Sequence, residues 1–350
     1  MRVAFVSAST KHHEATDGAE RLHALAADLV ARGHEVVVFS TQWWDGEPDV
    51  FERDDIEYRA VTRHADDWTF PLGLPGDLRA FQPDVIHATC HPASHLLAAR
   101  VGSSLTGAPL LAECYDPPAV QGSLARSLTE FAVRSADSVV TPSRTVRTRV
   151  REFGVPIDRI DVVPTGIEMD VVRDVEPADG GDIVFSRRLD EAANLETLLL
   201  SLAEFRKYDW TATIIGDGPE RENYERQARD LRIEDRVDFV GDRSVAERIA
   251  LFKNAHVYVH TAEYTPFAVD LLRALAAGCV GIVEYHADSS AHELVEQRSR
   301  GFTATNDEEL TRRLVEAGDL ERLSIDEEFA EFDRRSVLER YLQRYRDLQS

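Results

Sequence analysis

The feature that most constrains the fold is the segment 214–219, where an apolar run ends in a Gly-Asp-Gly-Pro turn. A helical pattern follows from Glu220 to Leu231, so the turn joins a predicted strand to a predicted helix. A strand that delivers glycines to a helix start can bring bare backbone amides together, and such a point favours a phosphate. A tight strand-to-helix turn without a ligand has the same sequence, so the turn alone does not establish a phosphate site.

Length and hydrophobic content indicate a globular protein of about two domains. The chain has 350 residues, which suits two domains that each bury a core. A hydrophobic content of 43% fits a globular protein, and no stretch is apolar for long enough to span a bilayer. The N-terminal apolar run is too short for a secretory signal and indicates a first β-strand. We therefore expect a cytoplasmic protein.

The charge is strongly acidic, with 63 Asp and Glu against 40 Lys and Arg, a formal net charge of −23. The acids are spread along the chain, which indicates a solvated surface. A protein with this net charge repels nucleic acid and anionic lipid headgroups, so we expect no polyanionic partner. Lysine occurs only at positions 11, 207 and 253, and this composition resembles that of proteins from high-salt cytoplasms. The three cysteines form neither a disulfide framework nor a metal knuckle.

Strand and helix patterns alternate along both halves of the chain. Between them, residues 171–182 are rich in Asp, Glu, Pro and Gly, a composition typical of a linker. Apolar strands with helical crossovers predict an α/β fold of two doubly wound, parallel-sheet, Rossmann-like domains that face a cleft. The predicted divisions are 1–172 for an acceptor-side domain, 173–182 for the linker, 183–335 for a nucleotide-sugar domain, and 336–350 for a helix that packs back across the domain junction.

Motifs in both halves support a more specific prediction. The second half contains Ser186-Arg187-Arg188-Leu189, Gly216-Asp217-Gly218-Pro219 and the stretch 266–278. The first half contains matching segments at 32–36, 83–88, 136–143 and 162–168. In their order and spacing these segments resemble the family-4 glycosyltransferases of the GT-B superfamily, and the resemblance covers most of the chain.

The resemblance implies sugar transfer from a nucleotide diphosphate sugar to a glycan, lipid-linked or small acceptor, with retention at the anomeric carbon and no cofactor or metal. Peripheral membrane association is also expected. The sequence has no Asp-x-Asp pair of the kind that metal-dependent transferases use, so arginine and helix N-termini must stabilise the leaving diphosphate. The implied catalytic residues are Arg188, Tyr115 and Thr265. The implied donor-binding residues are Arg188, Gly216, Asp217, Gly218, Pro266, Phe267, Ala268 and Asp270, and the implied acceptor-side residues are Gly18, His87, His91 and Asp116.

The sequence departs from the family pattern at four positions. The family lysine five residues after the arginine is Ala193 here, and the two family glutamates are Thr265 and Arg273. The family histidine after the strand at 109–114 is Tyr115. These losses motivate an alternative, a catalytically impaired protein of the same fold that binds nucleotide sugars or glycans. A nucleotide-sugar 2-epimerase is a third, less favoured interpretation.

Two clusters of side chains keep more than one interpretation open. His87, His91 and His95 are spaced like metal ligands, but a hydrogen-bonding role for His87 or His91 is favoured because Pro92 interrupts the cluster. The tryptophans follow early strands, where an acceptor surface and buried packing are equally compatible with the sequence. They are Trp43, Trp44 and Trp68.

Overall fold

The computed structural model describes residues 1–13, 16–46, 49–63, 69–117 and 122–350. The chain forms two compact units. The first comprises Met1–Thr165 together with Arg335–Ser350, and the second comprises Gly166–Arg334.

The first unit is built on an eight-stranded sheet in the order β3-β4-β2-β1-β5-β6-β7-β8. All neighbouring strands are parallel except β3 and β4, which pair antiparallel at one edge. Central strands are buried on both faces, which explains their continuous apolar sequences. The strands are β1 (Arg2–Val6), β2 (Glu35–Thr41), β3 (Val50–Arg53), β4 (Ile56–Thr62), β5 (Val85–Thr89), β6 (Leu110–Glu113), β7 (Ser138–Thr141) and β8 (Ile160–Val162).

Helices cover both faces of this first sheet. One core packs under the helices that connect β4 to β8, and the other packs under the first and last helices of the chain. The helix that ends the chain thereby completes the first unit rather than the second. The helices of this unit are α1 (Asp17–Ala31), α2 (Phe70–Phe81), α3 (Ala93–Thr106), α4 (Ser123–Ser135), α5 (Arg144–Arg151) and α12 (Arg334–Gln349).

The second unit has a six-stranded, wholly parallel sheet in the order β11-β10-β9-β12-β13-β14. Its first strand is central, so the direction of strand addition reverses between β9 and β12. Ligands of open α/β sheets bind beyond the carboxyl ends of the strands at such a switch point. The strands are β9 (Ile183–Ser186), β10 (Ala212–Ile215), β11 (Val237–Gly241), β12 (Val257–His260), β13 (Val280–Glu284) and β14 (Gly301–Ala304). The helices are α6 (Met169–Asp174), α7 (Leu195–Glu204), α8 (Arg221–Asp230), α9 (Val245–Asn254), α10 (Val269–Ala276) and α11 (Asp307–Gly318).

The segment predicted as a linker, 173–182, lies in the second unit. The chain divides earlier, between Thr165 and Gly166. Gly181 packs so closely on β10 that an added Cβ would lie 2.7 Å from the Ala212 backbone, and its N–H donates to the Thr213 hydroxyl at 2.8 Å. Glycine is therefore required at position 181 because the backbone of this segment packs directly on the backbone of β10.

The described ranges contain no helix that combines the length and the hydrophobicity needed to cross a bilayer.

Candidate functional site

The carboxyl ends of β9 and β12, together with the segment from β12 into α10, bring five polar side chains together where the sheet order reverses. Ser186 ends β9 and donates to the Asp270 carboxylate of α10 at 2.6 Å. Arg187 follows Ser186 and reaches the loop between β12 and α10. His260 ends β12 and contacts the hydroxyl of Thr265 at 3.1 Å. The second unit thus has its candidate site at the edge where the topology predicts one.

Arg187 is the half-buried cation of this edge. Its guanidinium donates to the Thr265 hydroxyl at 2.9 Å and to the Tyr264 carbonyl at 3.2 Å. Its Nε is buried and has no hydrogen-bond partner. Within the ranges that the structure describes, Arg187 makes no ion pair with a carboxylate. A partly buried positive charge with only neutral partners is electrostatically suited to bind an anion.

Arg188, the predicted phosphate-binding residue, has its side chain in solvent. The side chain is 73% exposed, and its Nε lies 4.0 Å from Asp190 Oδ2. The prediction named Arg188, whereas the structure holds the preceding residue, Arg187, against Thr265.

The Gly216–Gly218 turn was predicted to offer bare amides, and the structure corrects this. The Gly216 N–H donates to the Gly241 carbonyl at 3.0 Å, and the Gly218 N–H donates to the Asp217 side chain at 2.7 Å. A Cβ on Gly216 would lie 1.9 Å from the Arg187 carbonyl oxygen, and one on Gly218 would lie 2.2 Å from that of Leu189. The glycines are needed because the turn packs directly on the segment that carries both arginines, and so it positions Arg187.

Asp270 and Arg273 form a closed ionic network beside this cation. The Asp270 carboxylate accepts from Arg248 at 2.8 Å and from Arg273 at 3.0 Å. Arg273 also donates to both oxygens of Glu168 at 3.1 Å. Burial alone raises the pKa of Asp270, but the guanidiniums of Arg273 and Arg248 outweigh it and hold that pKa below its usual value. Arg273, which stands in the place of a family glutamate, is paired with these two carboxylates.

Thr265 lies at the centre of the candidate site and is buried. Its hydroxyl contacts His260, Arg187 and the Tyr264 carbonyl. Burial lowers the pKa of His260 to about 3, and Arg187 adds to this effect, so the imidazole is neutral near pH 7. Phe267 and Ala268 are buried just before α10, and the Pro266 carbonyl accepts from Ser290 at 2.6 Å. The N-cap residue of α10 is Ala268, whose methyl side chain cannot cap the first turn.

His87, predicted to contact an acceptor, is instead completely buried in the first unit. Its two ring nitrogens contact the Tyr345 hydroxyl at 2.7 Å and Glu113 at 3.2 Å. Glu113 also accepts from the Tyr341 hydroxyl at 2.7 Å and lies 3.3 Å from the Arg21 guanidinium. His87 therefore belongs to an internal network that anchors α12, and the structure corrects its predicted role.

The first unit also contains Tyr115, which was predicted as catalytic, and the predicted acceptor-side residues Gly18, His91 and Asp116. Tyr115 is buried, and the Arg21 guanidinium lies 5.8 Å from its ring. Gly18 packs against the same ring, because an added Cβ would lie 3.3 Å from Tyr115 Cδ1. Asp116 and His91 are exposed. The structure thus brings Gly18 and Tyr115 together and leaves Asp116 and His91 at the surface.

The tryptophans that were considered as an acceptor surface belong to the core of the first unit. Trp44 is buried, and Trp43 packs edge-on against Tyr58 and stacks on His12. Packing therefore accounts for both. Trp68 lies outside the described residues.

Among the described residues, one group has the composition of a metal site. Ligand atoms of His12, His23 and Asp54 lie within 4.8 Å of one another. The Lys11 ammonium lies 3.4 Å from the Asp54 carboxylate, and Arg53 stacks over the adjoining Trp43 ring. The carboxylate already has a cationic partner, and a second cation lies nearby, so the local charge disfavours a divalent ion. His95 stacks on Phe70 at 4.0 Å and does not share a ligand position with His87.

Comparisons with known proteins agree with this fold. Residues 18–166 match the family described as glycosyl transferase 4-like domain, and residues 171–328 match glycosyl transferases group 1. The chain therefore belongs to the family-4-like glycosyltransferases with the GT-B fold. It is a glycosyltransferase.

Two relatives show how far the sequence similarity extends. Glycogen synthase of Mycobacterium tuberculosis is 27% identical over 303 residues, which cover 73% of this chain and 71% of the relative. Alpha-monoglucosyldiacylglycerol synthase of Streptococcus pneumoniae is 24% identical over 335 residues, which cover 85% and 74%.

A solved structure of Anabaena HepE in complex with UDP superposes with a TM-score of 0.80 at 17% identity, covering 99% of this chain and 100% of HepE. A glycosyltransferase from Rickettsia africae gives a TM-score of 0.81 at 15% identity, covering 99% of this chain and 98% of that protein. At these identities the structural likeness establishes the fold alone.

Proposed function

We propose that the protein transfers a sugar from a nucleoside diphosphate sugar, and that the diphosphate binds at Arg187 on the carboxyl edge of the second sheet. The observation that carries the proposal is the partly buried guanidinium, which has two neutral partners and an unpartnered Nε at the switch point. A diphosphate offers acceptor oxygens and the negative charge that this group lacks. The UDP complex of the similar Anabaena protein supports this choice of ligand class.

The site also provides what sugar transfer requires of the protein. Charge develops on the leaving diphosphate in the transition state, so a fixed cation beside it lowers the barrier. The closed network of Asp270, Arg273 and Glu168 holds the start of α10 against β9, and this fixes the loop that carries Thr265. The α10 N-terminus adds a favourable dipole next to Arg187. The Arg188 side chain is exposed to solvent by comparison, and we propose that it joins the diphosphate only after the ligand is bound.

We further propose that transfer retains the anomeric configuration and requires no metal ion. The absence of an Asp-x-Asp pair in a chain of 63 acidic residues supports metal independence. The names of the relatives, a glycogen synthase and a glucosyldiacylglycerol synthase, support a hexosyl group as the sugar. The acceptor is a glycan, a lipid-linked molecule or a small molecule.

The test uses the purified full chain at high salt. A thermal-shift screen of nucleoside diphosphates is followed by chromatographic detection of sugar transfer and donor hydrolysis from each matching nucleotide sugar. A ligand at a hundred times its dissociation constant adds about 2.7 kcal/mol to stability, which gives a clear shift. We expect stabilisation by at least one diphosphate and turnover of its sugar, unchanged by EDTA, with the product anomer assigned by NMR.

Each other outcome has a defined meaning. Stabilisation without any turnover would favour the impaired, ligand-binding alternative. Loss of turnover in EDTA, restored by a divalent cation, would contradict metal independence. No stabilisation by any nucleoside diphosphate and no turnover would overturn the proposal.

A further inference from the structure

The strand beside the candidate site, β13, ends in polar side chains that the proposed function does not use. Glu284 is the last residue of this strand. The loop after it packs directly on the candidate site. Ser290 of this loop donates through its N–H to the Thr265 carbonyl at 2.9 Å and through its hydroxyl to the Pro266 carbonyl at 2.6 Å. The carboxyl end of β13 and the candidate site therefore form one continuous edge of the second sheet.

Three buried polar atoms of this loop have no hydrogen-bond partner among the residues that the structure describes. They are His286 Nε2, the Ser289 hydroxyl and His292 Nδ1. Buried polar atoms are nearly always paired in folded proteins, so unpaired atoms beside a binding site call for a ligand or water to complete them. His286 also lies within electrostatic range of the candidate site, since it contributes to the low pKa of His260.

Carboxylates gather at the same point. Glu284 is buried, and one of its carboxylate oxygens accepts from the Asn194 side chain at 2.9 Å. The other oxygen lies 3.8 Å from His286 Nε2. Burial raises the pKa of Glu284, while His286 lowers it. Glu263 and Asp307 raise it further, so their carboxylates also lie near this point and give it a negative potential.

The two ends of this edge therefore differ in charge. On the β9 side, the Arg187 guanidinium has only neutral partners among the described residues, whereas the β13 side presents carboxylates, an imidazole and a hydroxyl. A nucleoside diphosphate sugar has the matching polarity, because its diphosphate is anionic and its sugar carries hydroxyl groups that donate to carboxylates. A sugar with a carboxylate of its own would meet like charges on the β13 side.

We infer that Glu263, Glu284 and His286 bind the sugar of the donor and select a neutral hexosyl group over a hexuronosyl group. The inference rests on the proposed function, because it takes the diphosphate to bind at Arg187, and it adds the residues that choose the sugar. Hydroxyl groups of the sugar donate to the two carboxylates, and His286 Nε2 gains the partner that it lacks. Specificity then comes from favourable contacts with one sugar and from charge repulsion of the other.

The test is calorimetric titration of UDP, UDP-glucose and UDP-glucuronic acid into the full chain at constant salt, without an acceptor. UDP reports on the diphosphate position alone, and the two sugars differ by a hydroxymethyl group against a carboxylate. We expect UDP-glucose to bind at least about tenfold more tightly than UDP-glucuronic acid, because like charges at an interface are costly. The Glu263→Gln, Glu284→Gln double variant should bring the two affinities to within about threefold, with a much smaller change for UDP.

Matched variants keep the result interpretable. Glu263→Gln alone should lower the discrimination by a smaller factor, and because its side chain is exposed it keeps the test valid if Glu284→Gln weakens the fold. Glu234→Gln changes an exposed acid before β11, at the opposite edge of the sheet, and should discriminate like the parent.

The outcomes separate this inference from the proposed function. If UDP binds but the parent binds both sugars equally, or if the Glu263 and Glu284 variants keep the full discrimination, the inference is overturned and the diphosphate site stands. If UDP itself does not bind, the proposed function is contradicted, and the inference with it.

Discussion

Each unit contains an arginine that is at least partly buried, fully in the case of Arg21 and partly in that of Arg187, and the surroundings of the two arginines differ. Arg21 in the first unit is fully buried and meets the Glu113 carboxylate, the Val163 carbonyl and the Thr165 hydroxyl. Burial lowers the pKa of Arg21, but Glu113 and the tyrosines around it outweigh this and raise it above its usual value. Arg187 in the second unit has only neutral partners and an orphaned Nε.

The difference separates a structural cluster from a binding position. A buried charge is tolerated when a partner of opposite sign is built in, and removing that partner is costly. The Arg21 cluster meets this condition and joins α1, β6 and α12 into one unit. Arg187 lacks the built-in anion, and in our account the diphosphate of the donor supplies it.

The largest effect should follow from removing the built-in anion of the first unit. Glu113→Gln leaves the Arg21 charge buried and unpaired, so we expect a loss of about 3–5 kcal/mol in the free energy of unfolding. Urea denaturation at constant salt measures it. Glu35→Gln is the control, since its ion pair with Arg2 is exposed and such pairs contribute about 0–1 kcal/mol. Equal losses in the two variants would contradict the comparison.

A smaller effect should follow from removing the Tyr341 hydroxyl, which donates to the same carboxylate and accepts from the Arg21 guanidinium. Tyr341→Phe deletes the hydroxyl that donates to Glu113 at 2.7 Å but keeps the ring packing of α12. A hydrogen bond to a charged group is worth about 1.5–3 kcal/mol, so we expect a loss in that range. The same denaturation assay reports it. A loss as large as that of Glu113→Gln would mean that the hydroxyl, not the charge, holds the cluster together.

The pH dependence should reveal the neutral histidine of the second unit. The pKa of His260 is about 3 in the folded protein, against an ordinary value of 6.5 in the unfolded chain. Between these two pH values only the unfolded chain binds the proton, so the free energy of unfolding falls as the pH falls. Uptake of one proton by the unfolded chain alone lowers the free energy of unfolding by at most about 1.4 kcal/mol per pH unit. His260→Gln should therefore give a shallower decline below pH 6.5 and the parent slope above it. Parallel curves for parent and variant across the whole range would show that His260 titrates normally.

Sequence reasoning succeeded where one local signal decides the structure. The strands of both sheets are buried on both sides, so each stands out as an apolar run, as in β9 and β12. It failed for α2, where Pro71, Pro75 and two glycines contradict helix propensity, and tertiary packing of Phe70, Leu74 and Leu78 decides instead. It also missed β3, an exposed antiparallel edge strand without an apolar pattern.

The candidate site was predictable in place but not in detail. The motifs predict a site at the carboxyl edge of the second sheet, where the structure places Arg187 and Thr265, because strand ends and glycine turns are local features. Whether Arg187 or Arg188 turns inward depends on the direction of neighbouring side chains at a strand end, which a one-residue difference reverses. The partners of Glu113 were not predictable either, since Tyr341 lies 228 residues away in sequence.

The central claim is that Arg187 lacks an anion because the donor diphosphate provides it. Calorimetric titration of UDP into Arg187→Ala tests this most directly, with Arg188→Ala as the adjacent, solvent-exposed control. We predict a loss of about 2 kcal/mol in binding free energy for Arg187→Ala, as for lost charge-assisted hydrogen bonds, with little change in melting temperature and a smaller loss for Arg188→Ala. Unchanged UDP affinity in a folded Arg187→Ala protein would contradict the account.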